Sequence, residues 1–224
     1  MKIFFDKHLV FLLTIVLISN QILLSQDKSE KFLRIIHHGN IEQVDSCIKQ
    51  GFDVNLIDNE KYTPLMFAVW SNHFEISKLL VENGAEVNLK TNKGGTAMNV
   101  AAGMGNIEIC EYLLTQGGDI EARDNEGKTV LMNAVYNAKK KVIPFFIENG
   151  TDVNAKDLNG NTALMFATML NQPEIVEILI NSGADVNSKT NSGVSPLQRA
   201  QEIDDAKLAN MKDVIDILED SGAK

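Results

Sequence analysis

The residues best suited to chemistry are four histidines, two cysteines and a set of acidic residues that recur at a fixed spacing. The pair His37-His38 and the nearby Cys47 carry metal-ligating atoms, but adjacent residues on a helix point in different directions. No second pair of ligands at the spacing of a zinc site accompanies them in the sequence. The sequence therefore predicts no metal site, and we expect His37 and His38 to cover the end of a helix.

The recurring acidic residues each lie 33 residues after the one before: Glu86, Asp119, Asp152 and Asp185. Catalytic carboxylates have no reason to recur at a constant period, so a structural role in turns is favoured. The sequence also contains no Gly-rich phosphate-binding loop and no nucleophile motif. We therefore expect no catalytic residue, no metal and no cofactor. A small metal-dependent hydrolase is kept as the enzymatic alternative.

The charge balance argues against two classes of partner. The chain has 21 Lys and Arg residues against 30 Asp and Glu residues, which gives a formal net charge of −9. A nucleic-acid-binding protein is expected to carry a basic face, and anionic membranes attract basic segments. We therefore expect neither nucleic acid nor a membrane surface as the partner.

Residues 1–25 have the composition of a leader. Lys2 and Lys7 precede an apolar run over residues 9–18, and polar sequence begins at Ser25. This order is typical of a secretory signal peptide, here cleaved near Ser25. The alternative is an uncleaved anchor, although an anchor needs about 20 apolar residues. We expect an extracytoplasmic protein, periplasmic or secreted, that has no membrane contact after cleavage and is membrane-anchored if the leader is kept.

The rest of the chain repeats itself with a period of 33 residues, most clearly over residues 157–189. A threonine, an alanine and a glycine keep their places in four copies: Thr63, Ala68 and Gly84; Thr96, Ala101 and Gly117; Thr129, Ala134 and Gly150; Thr162, Ala167 and Gly183. The threonine is suited to cap a first helix, and the glycine to stop a second one. A fixed period of this length predicts a solenoid of small helical units.

The best-kept motifs are Tyr62-Thr63-Pro64-Leu65 with Ala68, then Glu75-Ile76, Leu79-Leu80 and Asn83-Gly84-Ala85-Glu86-Val87-Asn88. These motifs resemble the ankyrin repeat family. The resemblance implies an all-α fold in which each unit is a helix-turn-helix joined to the next by a projecting β-turn or hairpin. It further implies that the units stack into a curved solenoid.

We divide residues 26–224 into six units, of which the first and last are caps: 26–57, 58–90, 91–123, 124–156, 157–189 and 190–224. Cys47 and Cys110 fall two units apart, too far for a disulfide, and are expected to be buried thiols. In the last unit we expect a lengthened first helix or loop before a second helix over residues 211–220.

Two units depart from the pattern. Lys61 stands where later turns have glycine, which is expected to loosen or reshape that turn. In the fourth unit Pro144 falls inside the second helix, and we expect it to kink or delay that helix at a cost of up to about 3 kcal/mol. The preceding run Lys139-Lys140-Lys141 is interpreted as a solvated helix start, with a docking patch for an acidic group as the alternative.

The resemblance also implies where a partner binds. In the ankyrin family, partner proteins dock on the turn tips and on the exposed end of each first helix. The matching residues here are Tyr62, Trp70, Met104, Tyr136, Met169 and Leu170, which we call the stripe. Its expected polar rim is Asn59, Glu60, Asn92, Lys93, Asn125, Glu126 and Lys128. We expect a monomer that binds another protein through the concave side, unless these side chains are packed in the core instead.

Overall fold

The computed structural model describes residues 28–207 and 209–224. The predicted leader at residues 1–25 therefore lies outside the described residues. The described part contains twelve helices, and none of its residues belongs to a β-strand. The helices are α1 (28–37), α2 (Ile41–Lys49), α3 (Pro64–Trp70), α4 (Phe74–Glu82), α5 (Ala97–Met104), α6 (Ile107–Thr115), α7 (Val130–Tyr136), α8 (Ile143–Glu148), α9 (Ala163–Met169), α10 (Pro173–Asn181), α11 (Pro196–Asp205) and α12 (Lys212–Asp220).

Helix pairs follow one another along the chain, and each pair packs on the next. The first helices form one layer, in which α3 contacts α5, α5 contacts α7, α7 contacts α9 and α9 contacts α11. The second helices form the other layer. A continuous core of buried apolar side chains lies between the layers. Each helix pair contacts its neighbouring pairs. The pairs therefore form the solenoid that the 33-residue period predicts.

The start of each first helix is fixed by a hydroxyl side chain. Thr63 accepts a hydrogen bond from the backbone N–H of Met66, and Thr96, Thr129, Thr162 and Ser195 do the same for the N–H three residues on. These bonds satisfy N–H groups that lack an intrahelical partner. The predicted threonine caps are thus confirmed, and Pro64 occupies the first helical position as expected.

The turn before α3 keeps its form although it lacks glycine. Lys61 adopts a φ of 60°, close to the positive φ of Gly94, Gly127 and Gly160 at the matching places. The N–H of Lys61 donates to the carbonyl of Asp58 at 3.0 Å, as the N–H of Gly94 does to Thr91 at 2.9 Å. The expectation of a reshaped turn was therefore wrong. The lysine takes up the left-handed conformation, because the bonds around the turn demand it, and bears the strain.

Pro144 delays its helix. Helices α6 and α10 begin at Ile107 and Pro173, whereas α8 begins at Ile143, three residues late in the 33-residue register. Pro144 consequently lies in the first turn of α8, where its missing N–H costs little. The expected delay is confirmed, but the predicted position inside the helix was wrong. Lys139, Lys140 and Lys141 lie in a turn rather than a helix.

The two ends of the described array present polar faces. In α2, Gln43 and Ser46 are exposed at places that are apolar in later units. In the last unit, α11 is lengthened to ten residues and α12 begins one residue after the predicted start, with Asp213, Asp216 and Glu219 exposed. Both Cys47 and Cys110 are buried free thiols, as predicted. Within the described ranges, every helix is too short or too polar to cross a lipid bilayer.

Candidate protein-binding face

All six residues of the stripe are exposed on the first-helix layer. Trp70 and Tyr136 are each 55% exposed, and Tyr62, Met104, Met169 and Leu170 also retain large accessible apolar areas. Their helices α3, α5, α7 and α9 lie side by side, so these side chains run along one surface. Whether that surface binds a partner stays a prediction.

The stripe occupies three positions of the 33-residue register rather than a single one. Trp70, Tyr136 and Met169 share one position near the end of the first helix. Met104 and Leu170 hold the next position, and Tyr62 lies at the start of its unit, before the helix. Helix α5 has no side chain at the position of Trp70, because Gly103 occupies it. The first helix that follows Trp70 along the surface therefore offers no side chain at this position.

An aromatic cluster stands at the N-terminal end of this surface. The rings of Tyr62 and Phe67 meet edge to face with centroids 6.0 Å apart, and Phe67 and Trp70 lie 6.4 Å apart. The imidazole of His37 lies 6.2 Å from Trp70, and its Nδ1 is 2.8 Å from the hydroxyl of Ser71. His37 thus contacts the following unit and extends the aromatic cluster, while the expectation that His37 and His38 cover the end of a helix stays a prediction.

A cavity of about 360 Å³ opens beside this cluster. Its wall is formed by the Tyr62, Phe67 and Trp70 rings, by Val100 of the next unit, and by two acidic residues, Asp58 and Glu60. The Oδ1 atom of Asp58 accepts hydrogen bonds from the backbone N–H groups of Glu60 at 2.9 Å and Tyr62 at 2.7 Å. The Asp58 carboxylate is therefore held in place by the turn, and it brings negative charge to an aromatic surface.

Two units further along the chain, the same surface carries a cation that belongs to the chain itself. The ammonium group of Lys128 lies 5.5 Å from the ring centroid of Tyr136 and 5.7 Å from that of Phe166, within the range of a cation–π interaction. The Glu126 carboxylate lies 2.7 Å from the Lys128 ammonium. The hydrogen bond to Glu126 is the largest cause of a raised pKa for Lys128, so this group stays charged at neutral pH.

The asparagines of the predicted rim connect the turn tips to one another. The side-chain amide of Asn92 donates to the carbonyl of Asn59 at 3.0 Å, and Asn125 donates to Asn92 at 2.8 Å. Asn191 donates in the same way to Leu158 at 2.8 Å. These amides hold successive turns together. We call this row of bonds the turn ladder.

Sequence reasoning missed two exposed apolar residues. Leu158 is 69% exposed and replaces the asparagine of the turn ladder, so the bond to Asn125 is lost in its unit. Ile57 is 53% exposed at a place where later units have Lys90, Arg123 and Lys156. Both residues were detectable as apolar exceptions at polar register positions.

Three of the four recurring acidic residues have the structural role in turns that their period predicts, whereas Glu86 takes part through its backbone N–H, which donates to Asn55 Oδ1 at 2.8 Å. Asp119, Asp152 and Asp185 each accept, at 2.9 Å, a hydrogen bond from the backbone N–H two residues on. Such bonds stabilise a turn locally. Across residues 28–207 and 209–224, no three His, Cys, Asp or Glu side chains are grouped closely enough to hold a metal ion.

The lysine run is partly paired. The ammonium of Lys140 contacts the Glu174 carboxylate at the start of α10. Lys141 is exposed, while the stem of Lys139 packs beside Gly105. The predicted helix start was wrong, because the run precedes the first residue of α8. The alternative, a docking patch for an acidic group, stays a prediction.

Comparison with known families decides the class of the chain. A family model described as ankyrin repeats (3 copies) matches residues 10–91, 32–124, 87–157 and 131–218. The chain belongs to the ankyrin repeat family. Together with the stacked helix pairs, this match confirms the predicted ankyrin-repeat solenoid. Ankyrin repeats form modules for protein–protein interaction and are generally non-catalytic scaffolds, so a protein partner is the class of ligand expected here. A search of curated proteins found no match to the chain.

Proposed function

We propose that this ankyrin-repeat protein is exported and binds another protein, without catalysis, through the concave side of its first helices and its turn tips. The observation that carries the proposal is the exposure of the six stripe residues on successive first helices. Aromatic and methionine side chains are enriched at protein interfaces, and tryptophan and tyrosine are frequent hot spots. A surface whose helices are already packed loses little conformational entropy when it binds.

The turn tips contribute apolar contacts to the proposed interface. Leu158 interrupts the turn ladder and leaves a large apolar side chain in water. A position that forgoes a hydrogen bond to expose a leucine is better explained by a binding partner than by stability of the free protein. We place Leu158 beside the stripe as a candidate contact.

The test of binding uses the full chain, immobilised, to capture proteins from the extracytoplasmic fraction of its source. The captured protein is identified and its affinity is measured with purified components. Trp70→Ala and Tyr136→Ala are each expected to weaken binding about tenfold or more, as hot-spot truncations do. Because both side chains are more than half exposed, the thermal unfolding of each variant should stay close to that of the parent chain.

The matched control is Tyr112→Ala, which removes an aromatic residue from α6 on the second-helix layer. Tyr112 packs edge to face on Phe74, 5.6 Å between centroids, away from the stripe. This control should leave partner affinity unchanged. Equal losses of affinity in all three variants would contradict the proposed face. Unfolding of Trp70→Ala and Tyr136→Ala would mean that the stripe belongs to the core.

Export is proposed from residues 1–25 alone. Their basic start, ten-residue apolar centre and following polar segment are the supporting observations. N-terminal sequencing of the protein recovered from its compartment is expected to begin near residue 26. An intact Met1 on membrane-bound protein would favour the tethered scaffold instead. We also propose a monomer, which sedimentation of the mature chain checks, and metal analysis of the same sample tests the hydrolase alternative.

A further inference from the structure

The cavity beside Trp70 is made by a contrast in side-chain size between two neighbouring units. One wall carries Tyr62, Phe67 and Trp70, while the next unit has Gly95, Val100 and Gly103 at the three corresponding positions. Large aromatic side chains thus face small ones across the contact between α3 and α5. Larger side chains in the second unit would fill this space. Because they are small, the space is open to a side chain from another molecule.

The unit that contains Lys128 shows which chemical group binds at the corresponding position two units later. Lys128 corresponds in the register to Tyr62, Tyr136 corresponds to Trp70, and Phe166 corresponds to Val100. At the later position the lysine of the chain itself occupies the aromatic surface, close to both rings. At the earlier position Tyr62 replaces that lysine, and the aromatic surface carries no cation among the described residues.

The acidic residues that hold the lysine are nevertheless retained. Asp58 and Glu60 correspond to Asp124 and Glu126, and Glu126 is the residue that pairs with Lys128. In the described part of the chain, the ion pairs include neither Asp58 nor Glu60. Acidic and aromatic groups are therefore arranged as they are around Lys128, but without the cation that completes the arrangement there.

From this relationship, and resting on the proposed function, we propose that the cavity beside Trp70 receives an arginine or lysine side chain from a basic segment of the partner protein. The cation lies against the Trp70 indole, which is the best aromatic face for a cation, with Glu60 and Asp58 as its counter-charges. The partner thus supplies in trans the group that Lys128 supplies within the chain.

The surroundings of the cavity fit a basic segment rather than an isolated cation. A wider cavity of about 680 Å³ adjoins the first one and shares Asp58, Glu60, Phe67 and Trp70 with it. Its outer wall adds Glu30, the guanidinium of Arg34 and the imidazole of His37. Three carboxylates, Glu30, Asp58 and Glu60, outnumber the one guanidinium and one imidazole of this cavity, so further basic residues of the partner are attracted to it.

Trp70 is the only tryptophan of the chain, so its fluorescence reports on this cavity alone. The probes are two peptides, acetyl-Gly-Arg-Gly-amide and its citrulline counterpart, which has nearly the same shape but no charge. The arginine peptide is expected to change the Trp70 emission saturably, in the millimolar range, and less strongly as salt is raised. The citrulline peptide should have little effect. Equal responses to both peptides, or no response to either, would overturn the proposal.

Substitutions in the acidic and aromatic walls sharpen the test. Glu60→Gln should weaken the arginine peptide about two- to fivefold, the range of an exposed cation–π or ion-pair contact. Glu219→Gln makes the same change of net charge in the exposed C-terminal cap and should leave the affinity unchanged. If the two variants lose affinity equally, only the net charge of the protein matters and the cavity is not the site.

Tyr62→Lys is the decisive variant, because it places a lysine where Lys128 lies two units later. The new lysine should occupy the Trp70 cavity, shift the emission toward that of the peptide-bound parent and abolish the response to the arginine peptide. Tyr62→Met removes the same tyrosine without adding charge and should retain a reduced response. If both variants lose the response alike, the charge of the new lysine is not what blocks the cavity, and the proposed cationic occupant is wrong.

The result is separable from the proposed function. If Trp70→Ala weakens the captured partner while the arginine peptide does not bind, protein binding stands and the cationic occupant is wrong. A Trp70 signal that changes with protein concentration alone would identify a second copy as the occupant and likewise overturn the proposal.

Discussion

Asn154 donates a hydrogen bond from its Nδ2 to the carbonyl oxygen of Gly183, 29 residues further along the chain, at 3.0 Å. Its Oδ1 accepts from the backbone N–H of Asp185 at 2.8 Å. One amide side chain thus spans the loop that follows the second helix of the next unit. Asn55, Asn88 and Asn187 make the same pair of bonds to their following units. These asparagines connect consecutive repeats independently of the core.

Glu121 occupies this asparagine position in the third unit and makes only half of the bridge. Its Oε1 accepts from the N–H of Asp152 at 3.0 Å, but a carboxylate has no N–H to offer the Gly150 carbonyl. Glu121→Asn should restore that donor and raise the free energy of unfolding by about 0.5–1.5 kcal/mol. Urea denaturation measures the change. Glu121→Ala, which loses the remaining bond, should be less stable than the parent, and any other order of the three would contradict this account.

The strained turn at Lys61 offers a second gain in stability. A side chain in the left-handed conformation costs about 1–2 kcal/mol, of which the entropy of glycine in the unfolded chain offsets up to about 1 kcal/mol. Lys61→Gly is therefore expected to raise the free energy of unfolding by roughly 0.5–1 kcal/mol. Lys61→Ala keeps the positive φ and should gain nothing. A stabilisation by alanine equal to that by glycine would attribute the effect to the lysine side chain rather than to backbone strain.

Substitutions of Leu158 are expected to change the stability of the fold and the affinity for the partner in different directions. Leu158→Asn should complete the turn ladder by donating to the Asn125 carbonyl, and raise the free energy of unfolding by about 0.5–1.5 kcal/mol. The same substitution should weaken the captured partner, because it removes an exposed apolar contact. Leu158→Ala should weaken the partner without stabilising the fold. If Leu158→Asn leaves partner affinity intact, the fifth turn tip lies outside the interface.

Cys110 should remain unreactive while the protein is folded. Burial, assisted by the nearby Glu111 carboxylate, raises the pKa of Cys110 to about 12, and its side chain is inaccessible. In a Cys47→Ala chain at pH 8, a thiol reagent such as DTNB is expected to label Cys110 only after denaturant is added. Rapid labelling of the folded chain would show that α6 opens readily.

The raised pKa also makes the contribution of Cys110 to the free energy of unfolding depend on pH. Between the ordinary thiol pKa of 9.0 and about 12, the unfolded chain releases the Cys110 proton while the folded chain keeps it. The unfolded state therefore binds fewer protons, and the contribution of Cys110 to stability falls as pH rises through this window. Urea midpoints at pH 8 and pH 10.5 should fall less in Cys110→Ala than in the parent. An equal fall would contradict the buried neutral thiol.

Local rules predicted most of the repeat. Threonine caps, Pro64 at the start of α3 and the polar faces at the ends follow from hydrogen-bonding and burial requirements within a single unit. The conformation of Lys61 was not predictable in this way, because bonds across the turn override the preference of the residue. The start of α8 also depends on context: Val142, Ile143 and Phe146 keep the buried places of the pattern although the helix begins late.

The candidate site was predicted only in part for a related reason. An exposed aromatic residue is visible in one unit, but the cavity beside Trp70 requires the small side chains of the next unit as well. Its missing cation becomes apparent only when Tyr62 is compared with Lys128, whose position over two rings no sequence pattern specifies. Leu158 shows the converse case, since a comparison at one register position would have been enough to find it.

The late start of α8 has a consequence for the integrity of the chain. Lys139, Lys140 and Lys141 lie in a turn between two helices, and Lys140 and Lys141 are exposed there. A protease that cleaves after lysine needs such non-helical, accessible backbone. A cut at this point would separate α7 from α8 in the chain, yet α7 still packs on α9. The nicked molecule would therefore stay assembled, as two fragments held together by their stacked helices.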